Sequence, residues 1–161
     1  MGAKKPTIYI ETTVPNYIFS EQYPEKQRAA REVFELIRTG AIKPSVSRAV
    51  VDELTATPDK TQRAELLRLL KGIEVLPITE EAEALAQKYL DERIFPKKKR
   101  LDAQHVAVAS VNKLDFIISW NFEHIVRVKT RELVEAVSTL LGYQTPEIVV
   151  PEEVIYDANH Y

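Results

Sequence analysis

A chain of 161 residues, 45% hydrophobic and 29% charged, has the size and composition of one domain that folds around its own core, and is neither disordered nor fibrous. With 22 basic and 24 acidic residues the formal charge is −2, so no global positive field draws in nucleic acid or an anionic membrane, and a nucleic-acid partner requires local basic patches. The absence of cysteine excludes disulfides, thiolate nucleophiles and cysteine-bound zinc or iron–sulfur groups, which leaves oxygen and imidazole to bind any metal. The four glycines, Gly2, Gly40, Gly72 and Gly142, cannot compose a dinucleotide, P-loop or serine-hydrolase fingerprint. The two lysines near the N-terminus precede no long apolar run, and no stretch approaches ~20 apolar residues, so a cytosolic protein without a membrane segment is expected.

Thr7-Ile8-Tyr9-Ile10 is a β-branched and aromatic run that reads as a buried first strand, ending at Glu11-Thr12-Thr13 ahead of Pro15. From Glu25 to Arg38, Ala29, Ala30, Val33, Phe34 and Ile37 recur at helical spacing, and Gly40 follows as C-cap. Ile42 to Val46 reads as a second strand. Ser47 then caps a short helix with Val50, Val51 and Leu54 on its apolar face and Glu53 beside it. A helix over Thr61 to Leu70, a strand at Glu74-Val75-Leu76 and a helix over Glu80 to Leu90, capped by Thr79, come next. Asp102 to Val111 carries alanine and valine on nearly every side, as a buried helix does, and leads to a fourth strand at Phe116-Ile117-Ile118-Ser119. A helix over Glu132 to Leu141, an edge strand at Ile148-Val149-Val150 and a tail over 151–161 close the chain. Strands separated by helices imply a mostly parallel sheet of about five strands in a three-layer α/β/α sandwich, with residues 1–161 as a single domain.

Ligands of open parallel sheets bind outside the carboxyl ends of the strands. Strand one ends in Glu11-Thr12-Thr13 and strand four in Ser119-Trp120-Asn121. Glu53 and Asp102 add acids on helices next to apolar neighbours. Carboxylates gathered at a largely buried edge cost several kcal/mol unless they are paired or bind a cation, which points to a divalent metal, and oxygen ligands favour Mg²⁺ or Mn²⁺ over zinc.

Four blocks, Ile8-Tyr9-Ile10-Glu11-Thr12-Thr13-Val14, Ser47 to Leu54, Leu101 to Ala109 and Ile118 to Ile125, in this order, resemble the PIN domain family, in particular its small prokaryotic VapC-like toxins. The resemblance implies a PIN-like fold and a metal-dependent ribonuclease whose acids hold one or two Mg²⁺ or Mn²⁺ ions. The carried-over ligands are Glu11, Glu53 and Asp102, with Asn121 at or next to the fourth position and Thr13 and Ser119 as supporting hydroxyls. It also implies RNA as substrate, a homodimer and, for a toxin, a cognate antitoxin protein. The chain departs from the family in carrying Glu11 where Asp is usual and Asn121 where many members have a second Asp.

Each residue also has a plainer role. Glu11 can be a solvated strand end, and Asp52 competes with Glu53 for the inward position, since their faces differ by one step. Asp102 also suits a helix N-cap. His105, one turn on, is expected as a hydrogen-bonded core histidine rather than a ligand, and Trp120 and Phe122 as core aromatics. His124 either orients the loop or touches substrate phosphate. Lys97, Lys98, Lys99 and Arg100 form either a solvated loop or a guide for the phosphate backbone. The alternative to a nuclease is an RNA-binding or interaction module that kept the scaffold with a weakened metal site.

Overall fold

The structure is a computed structural model that describes residues 4–160, so the ends of the expected 1–161 span, Met1 to Ala3 and Tyr161, lie outside the described residues. Five strands, β1 (Thr7–Ile10), β2 (Lys43–Ser47), β3 (Glu74–Leu76), β4 (Phe116–Ile118) and β5 (Glu147–Val149), pair in the order β3-β2-β1-β4-β5, all parallel. Parallel neighbours cannot be joined by a tight hairpin, so helices fill every connection. These are α1 (Thr13–Asn16), α2 (Pro24–Arg38), α3 (Arg48–Thr55), α4 (Lys60–Leu69), α5 (Glu80–Asp91), α6 (Arg100–Val111), α7 (Val128–Leu140) and α8 (Pro151–His160). The outcome is the expected α/β sandwich, with the sheet parallel throughout.

The centre of the sheet is the centre of the core. Ile8, Tyr9, Ile10, Ile117 and Ile118 are fully buried, and because successive strand residues face opposite sides, both faces of β1 and β4 must be covered. α6 packs on α5 and buries Ala103, Val106, Ala107 and Ala109; alanines let its backbone approach closely, which places Asp102 at the edge of the core. Ser47 and Thr79 cap their helices as expected and Asp59 caps α4, each side chain accepting a backbone N–H from the first turn.

Thr7 ties β1 to the entry of β4. Its N–H and hydroxyl both donate to Asp115 Oδ2 at 2.9 Å, and the Asp115 N–H donates to Thr7 Oγ1 at 2.9 Å. The Thr7 N–H bond chiefly holds the Asp115 carboxyl below its ordinary value. A depressed carboxyl pKa adds stability above the unfolded value of about 3.9, and that stability is lost as pH falls through the folded value. Asp115→Asn should therefore cost no more than about 0.5 kcal/mol near neutral pH, because solvent screens the carboxylate, with the difference from wild type vanishing toward acid in parallel denaturant titrations.

Three expectations need correction, and one unassigned segment gains an element. Residues 151–160 are a helix rather than a tail: Pro151 opens it, Glu152 and Glu153 occupy its first turn, and Val154 is buried where α8 packs on α2. The segment after β1, to which the sequence pattern assigns no element, forms α1 and a 3-10 turn at Tyr17–Phe19 and buries Val14, Pro15 and Ile18. α6 begins at Arg100 with Lys99 as its cap, so Asp102 sits inside the first turn and is not the N-cap. α7 starts at Val128, one turn earlier than the apolar spacing suggested, and buries Thr130 as well as Val134.

Candidate active site

The chain lays down β1, β2 and β3 to one side and then crosses to place β4 on the other side of β1, which makes the carboxyl ends of β1 and β4 a switch point where a crevice opens. Glu11 follows β1 there and Ser119 follows β4. The Glu11 N–H donates to Ile118 O at 3.2 Å, so the ladder carries Glu11 to the edge, where it is only 3% exposed.

Glu11 Oε1 accepts the hydroxyls of Thr13 and Ser119, both at 2.6 Å. Each hydroxyl in turn accepts a loop amide, Trp120 N–H on Thr13 and Asn121 N–H on Ser119, both at 2.9 Å. The two hydroxyls are thereby fixed as donors toward Glu11, leaving Oε2 without a hydrogen bond among the described residues.

Asp102 enters from α6. Its Oδ1 accepts Asn121 Nδ2–H at 3.2 Å, whereas Oδ2 is buried with no hydrogen-bond partner among the described residues. Burial, joined by the negative charge of Glu11, raises the Asp102 carboxyl above its ordinary value against the opposing pull of His105, His124 and Lys99. Asn121 Oδ1 accepts the His124 N–H at 3.0 Å, which fixes the amide so that its NH₂ faces Asp102. In this arrangement Asn121 orients a carboxylate and its own oxygen is already engaged.

Glu53 arrives on α3 and points inward, while Asp52 lies exposed and pairs with Arg48 at 3.2 Å. Glu53 Oε1 meets Thr12 Oγ1 at 3.0 Å and His105 Nε2 at 2.7 Å. His105 is 1% exposed, and its Nδ1 lies 2.5 Å from the Tyr9 hydroxyl, which lies 2.7 Å from Ser47 Oγ. A chain Glu53–His105–Tyr9–Ser47, buried except at its Glu53 end, thus links α3, α6, β1 and β2. Burial opposes charge on both partners of the pair, but their mutual bond prevails, holding Glu53 below and His105 above their ordinary values.

His105 is therefore the hydrogen-bonded core histidine its neighbours suggested. Trp120 is buried and donates through Nε1 to Glu152 at 2.7 Å, whereas Phe122, expected in the core, is half exposed. Tyr9, Ser47 and Thr12 are members of the network that sequence reasoning missed. Arg100 turns away toward α5, donating to Gln87 and Glu83 at 2.8 Å each; Lys97, Lys98 and Lys99 are exposed on a 3-10 turn ahead of α6.

Among the described residues no three His, Asp or Glu side chains form a ready-made metal cage. The donor set nonetheless suits a hard divalent cation: Asp102 Oδ2 is a buried anionic oxygen without a partner, and the Glu11 carboxylate lies near enough to perturb it. Among the described residues no helix is long and apolar enough to cross a membrane.

An α/β sandwich with acids gathered at its switch point is the class of protein these observations define. A model of the PIN domain matches residues 8–129, from β1 into the first turn of α7. The chain belongs to the PIN domain family, whose members are generally nucleases and typically use divalent metal ions. Among solved structures it is similar to a chain of VapBC2 from Rickettsia felis, solved bound to a DNA fragment from their promoter. That likeness has 12% identity and a TM-score of 0.51 over 73% of this chain and 89% of the other, and it is a likeness of fold. No curated protein matches the sequence.

Proposed function

We propose that this chain is a divalent-metal-dependent endoribonuclease of the cytoplasm, acting as the toxin of a toxin–antitoxin pair. The observation that carries this reading is Asp102 Oδ2, an anionic oxygen buried without a partner beside Glu11 at the switch point of a PIN fold. An uncompensated buried carboxylate is costly, and a structure keeps one where a cation completes it.

Glu11 and Asp102 are the principal ligands, and Glu53 supplies the third acid from its seat against Thr12 and His105. A Mg²⁺ or Mn²⁺ ion held by these acids would lower the pKa of a water for attack near neutral pH and offset charge on the phosphodiester. Thr13 and Ser119 hold the Glu11 carboxylate against rotation, and Asn121 holds Asp102 through Nδ2. The Glu11 and Asp102 carboxylates thus arrive pre-oriented, which lowers the reorganisation that metal binding requires. The expected partners are RNA, a second copy of the chain and an antitoxin whose basic side chain fits the acidic edge.

One observation favours a second reading, a metal-poor RNA-binding module: Asn121 offers an NH₂ rather than an oxygen, and Glu53 is already engaged. Calorimetric titration with Mn²⁺ separates the two. The nuclease reading expects a saturable site whose affinity falls as pH drops through the raised value of Asp102, because the proton and the cation compete for Oδ2. An absence of heat together with metal-independent RNA binding would establish the module.

A further inference from the structure

A second feature lies on the far side of the Asn121 loop. A cavity of about 470 Å³ opens between the end of α5 and the start of α7, within the range of roughly 300–1,000 Å³ typical of small-ligand pockets. Its rim carries Arg93, Lys97, Arg127 and Lys129, and no Asp or Glu lines it. None of the four cations has a salt bridge among the described residues, although the chain as a whole is net acidic. Asp91 lies with Arg93 and Lys97 on the adjoining groove but is not salt-bridged to either, and like charges gathered without a paired counter-charge repel one another, so this arrangement favours an anion between them.

The cavity is joined to the acids through His124. Its N–H donates to Asn121 Oδ1 and its carbonyl accepts the Thr130 hydroxyl at 2.9 Å, which pins the loop between Asp102 and α7. His124 Nε2 is buried without a hydrogen-bond partner among the described residues, its nearest carboxylate oxygen being Glu123 Oε1 at 3.4 Å. Arg93 has φ +59°, a backbone conformation that suits glycine and strains arginine. Leu90, Phe95 and Leu133 give the cavity an apolar wall.

We propose that this cavity is a phosphate-binding subsite for the RNA strand, holding a backbone phosphate next to the one at the acids. It rests on the nuclease reading for its substrate, and it assigns strand-binding to Arg93, Arg127, Lys129 and His124, with Lys97 alone of the basic run 97–100. The strand runs from the acidic edge over the Asn121–His124 turn into the basic cavity, so cations meet the backbone where the acids do not repel it.

The test is fluorescence anisotropy of a labelled single-stranded RNA with Asp102→Asn protein, which keeps the strand intact, over a series of KCl concentrations in Mg²⁺. Arg127→Gln/Lys129→Gln in that background should weaken binding by about tenfold or more and reduce the salt slope by about 1.4, near 0.7 for each lost phosphate contact. Arg31→Gln/Arg68→Gln, exposed on α2 and α4, serves as the control and should change affinity by less than about twofold. Arg93→Gly separates binding from folding: it relieves the positive φ, so the thermal midpoint should hold or rise while RNA affinity falls. Unchanged affinity and slope in the double variant, or no RNA binding by the parent, overturns the subsite. Cleavage by wild type reads the nuclease proposal separately: cleavage with pocket-independent binding retires the subsite alone, and pocket-dependent binding without cleavage retires the nuclease alone.

Discussion

Asp102→Asn should lose RNA cleavage by roughly 10³-fold while the metal-free protein becomes more stable, not less. The variant keeps an acceptor for Asn121 Nδ2 and replaces the partnerless Oδ2 with a neutral group, removing a buried charge that burial already disfavours. The gain should be about 1 kcal/mol at neutral pH. Its sign with pH follows from the raised carboxyl: the wild-type penalty is absent below the ordinary carboxylate value, grows as pH rises toward the raised one, and is constant beyond it. Mn²⁺ should raise the thermal midpoint of wild type but not of the variant, since only a state that binds ligand is stabilised by it. Thermal melts with and without Mn²⁺, paired with a cleavage assay, check all of this; a variant that is destabilised without metal and still cleaves RNA would remove Asp102 from the site.

His105→Ala carries the largest expected cost in stability. The ring is buried and bridges Tyr9 to Glu53, so its loss opens a cavity and strips the partly buried Glu53 carboxylate of its strongest partner, leaving only Thr12. The combined cost is about 3–4 kcal/mol, or roughly 10 °C in thermal midpoint for a chain of this length. The pH dependence again has a definite sign. A histidine raised in the folded state adds stability that is complete below the unfolded value of about 6.5 and is lost as pH rises through the folded value. Glu53, lowered in the folded state, adds stability above about 4.3 that is lost as pH falls through its folded value. The gap between wild type and variant should therefore be widest between about pH 5 and 6 and narrow toward alkali. A midpoint within about 2 °C of wild type would show that α3, α6, β1 and β2 do not depend on the bridge.

The parts of this molecule readable from sequence are those whose signals are local. The alternation of short β-branched runs with helical spacings gave the parallel sheet, and once β1 and β4 were placed, the polar ends Glu11-Thr12-Thr13 and Ser119-Trp120-Asn121 fell where a crevice opens. Helical phase allowed only one of Asp52 and Glu53 to point inward and the family resemblance favoured Glu53; the structure has Glu53 inward and Asp52 against Arg48. What stayed hidden depends on contacts far apart in the chain. Ser47 was read as a cap, which it is, but its bond to Tyr9 spans 38 residues, and Tyr9 itself looked like any aromatic in a buried strand. Arg93, Arg127 and Lys129 belong to two separate stretches that only the meeting of α5 with α7 brings around one cavity. The C-terminal helix went unread because its single buried aliphatic, Val154, sets no period, although Pro151 and the acids after it marked its start. Asn121 follows β4 beside Asp102, but which end of its amide faces Asp102 is decided by the His124 backbone and by nothing local in the sequence.

The most direct test of the central claim is cleavage of a panel of structured and single-stranded RNAs by the purified protein in Mn²⁺, in Mg²⁺ and in EDTA. Cleavage of at least one RNA in either metal, abolished by EDTA and restored by adding the metal back, is the expected result. Cleavage that persists in EDTA, or none across the panel in protein shown to be folded and free of bound Mn²⁺ after titration, would contradict a metal-dependent ribonuclease built on Glu11 and Asp102.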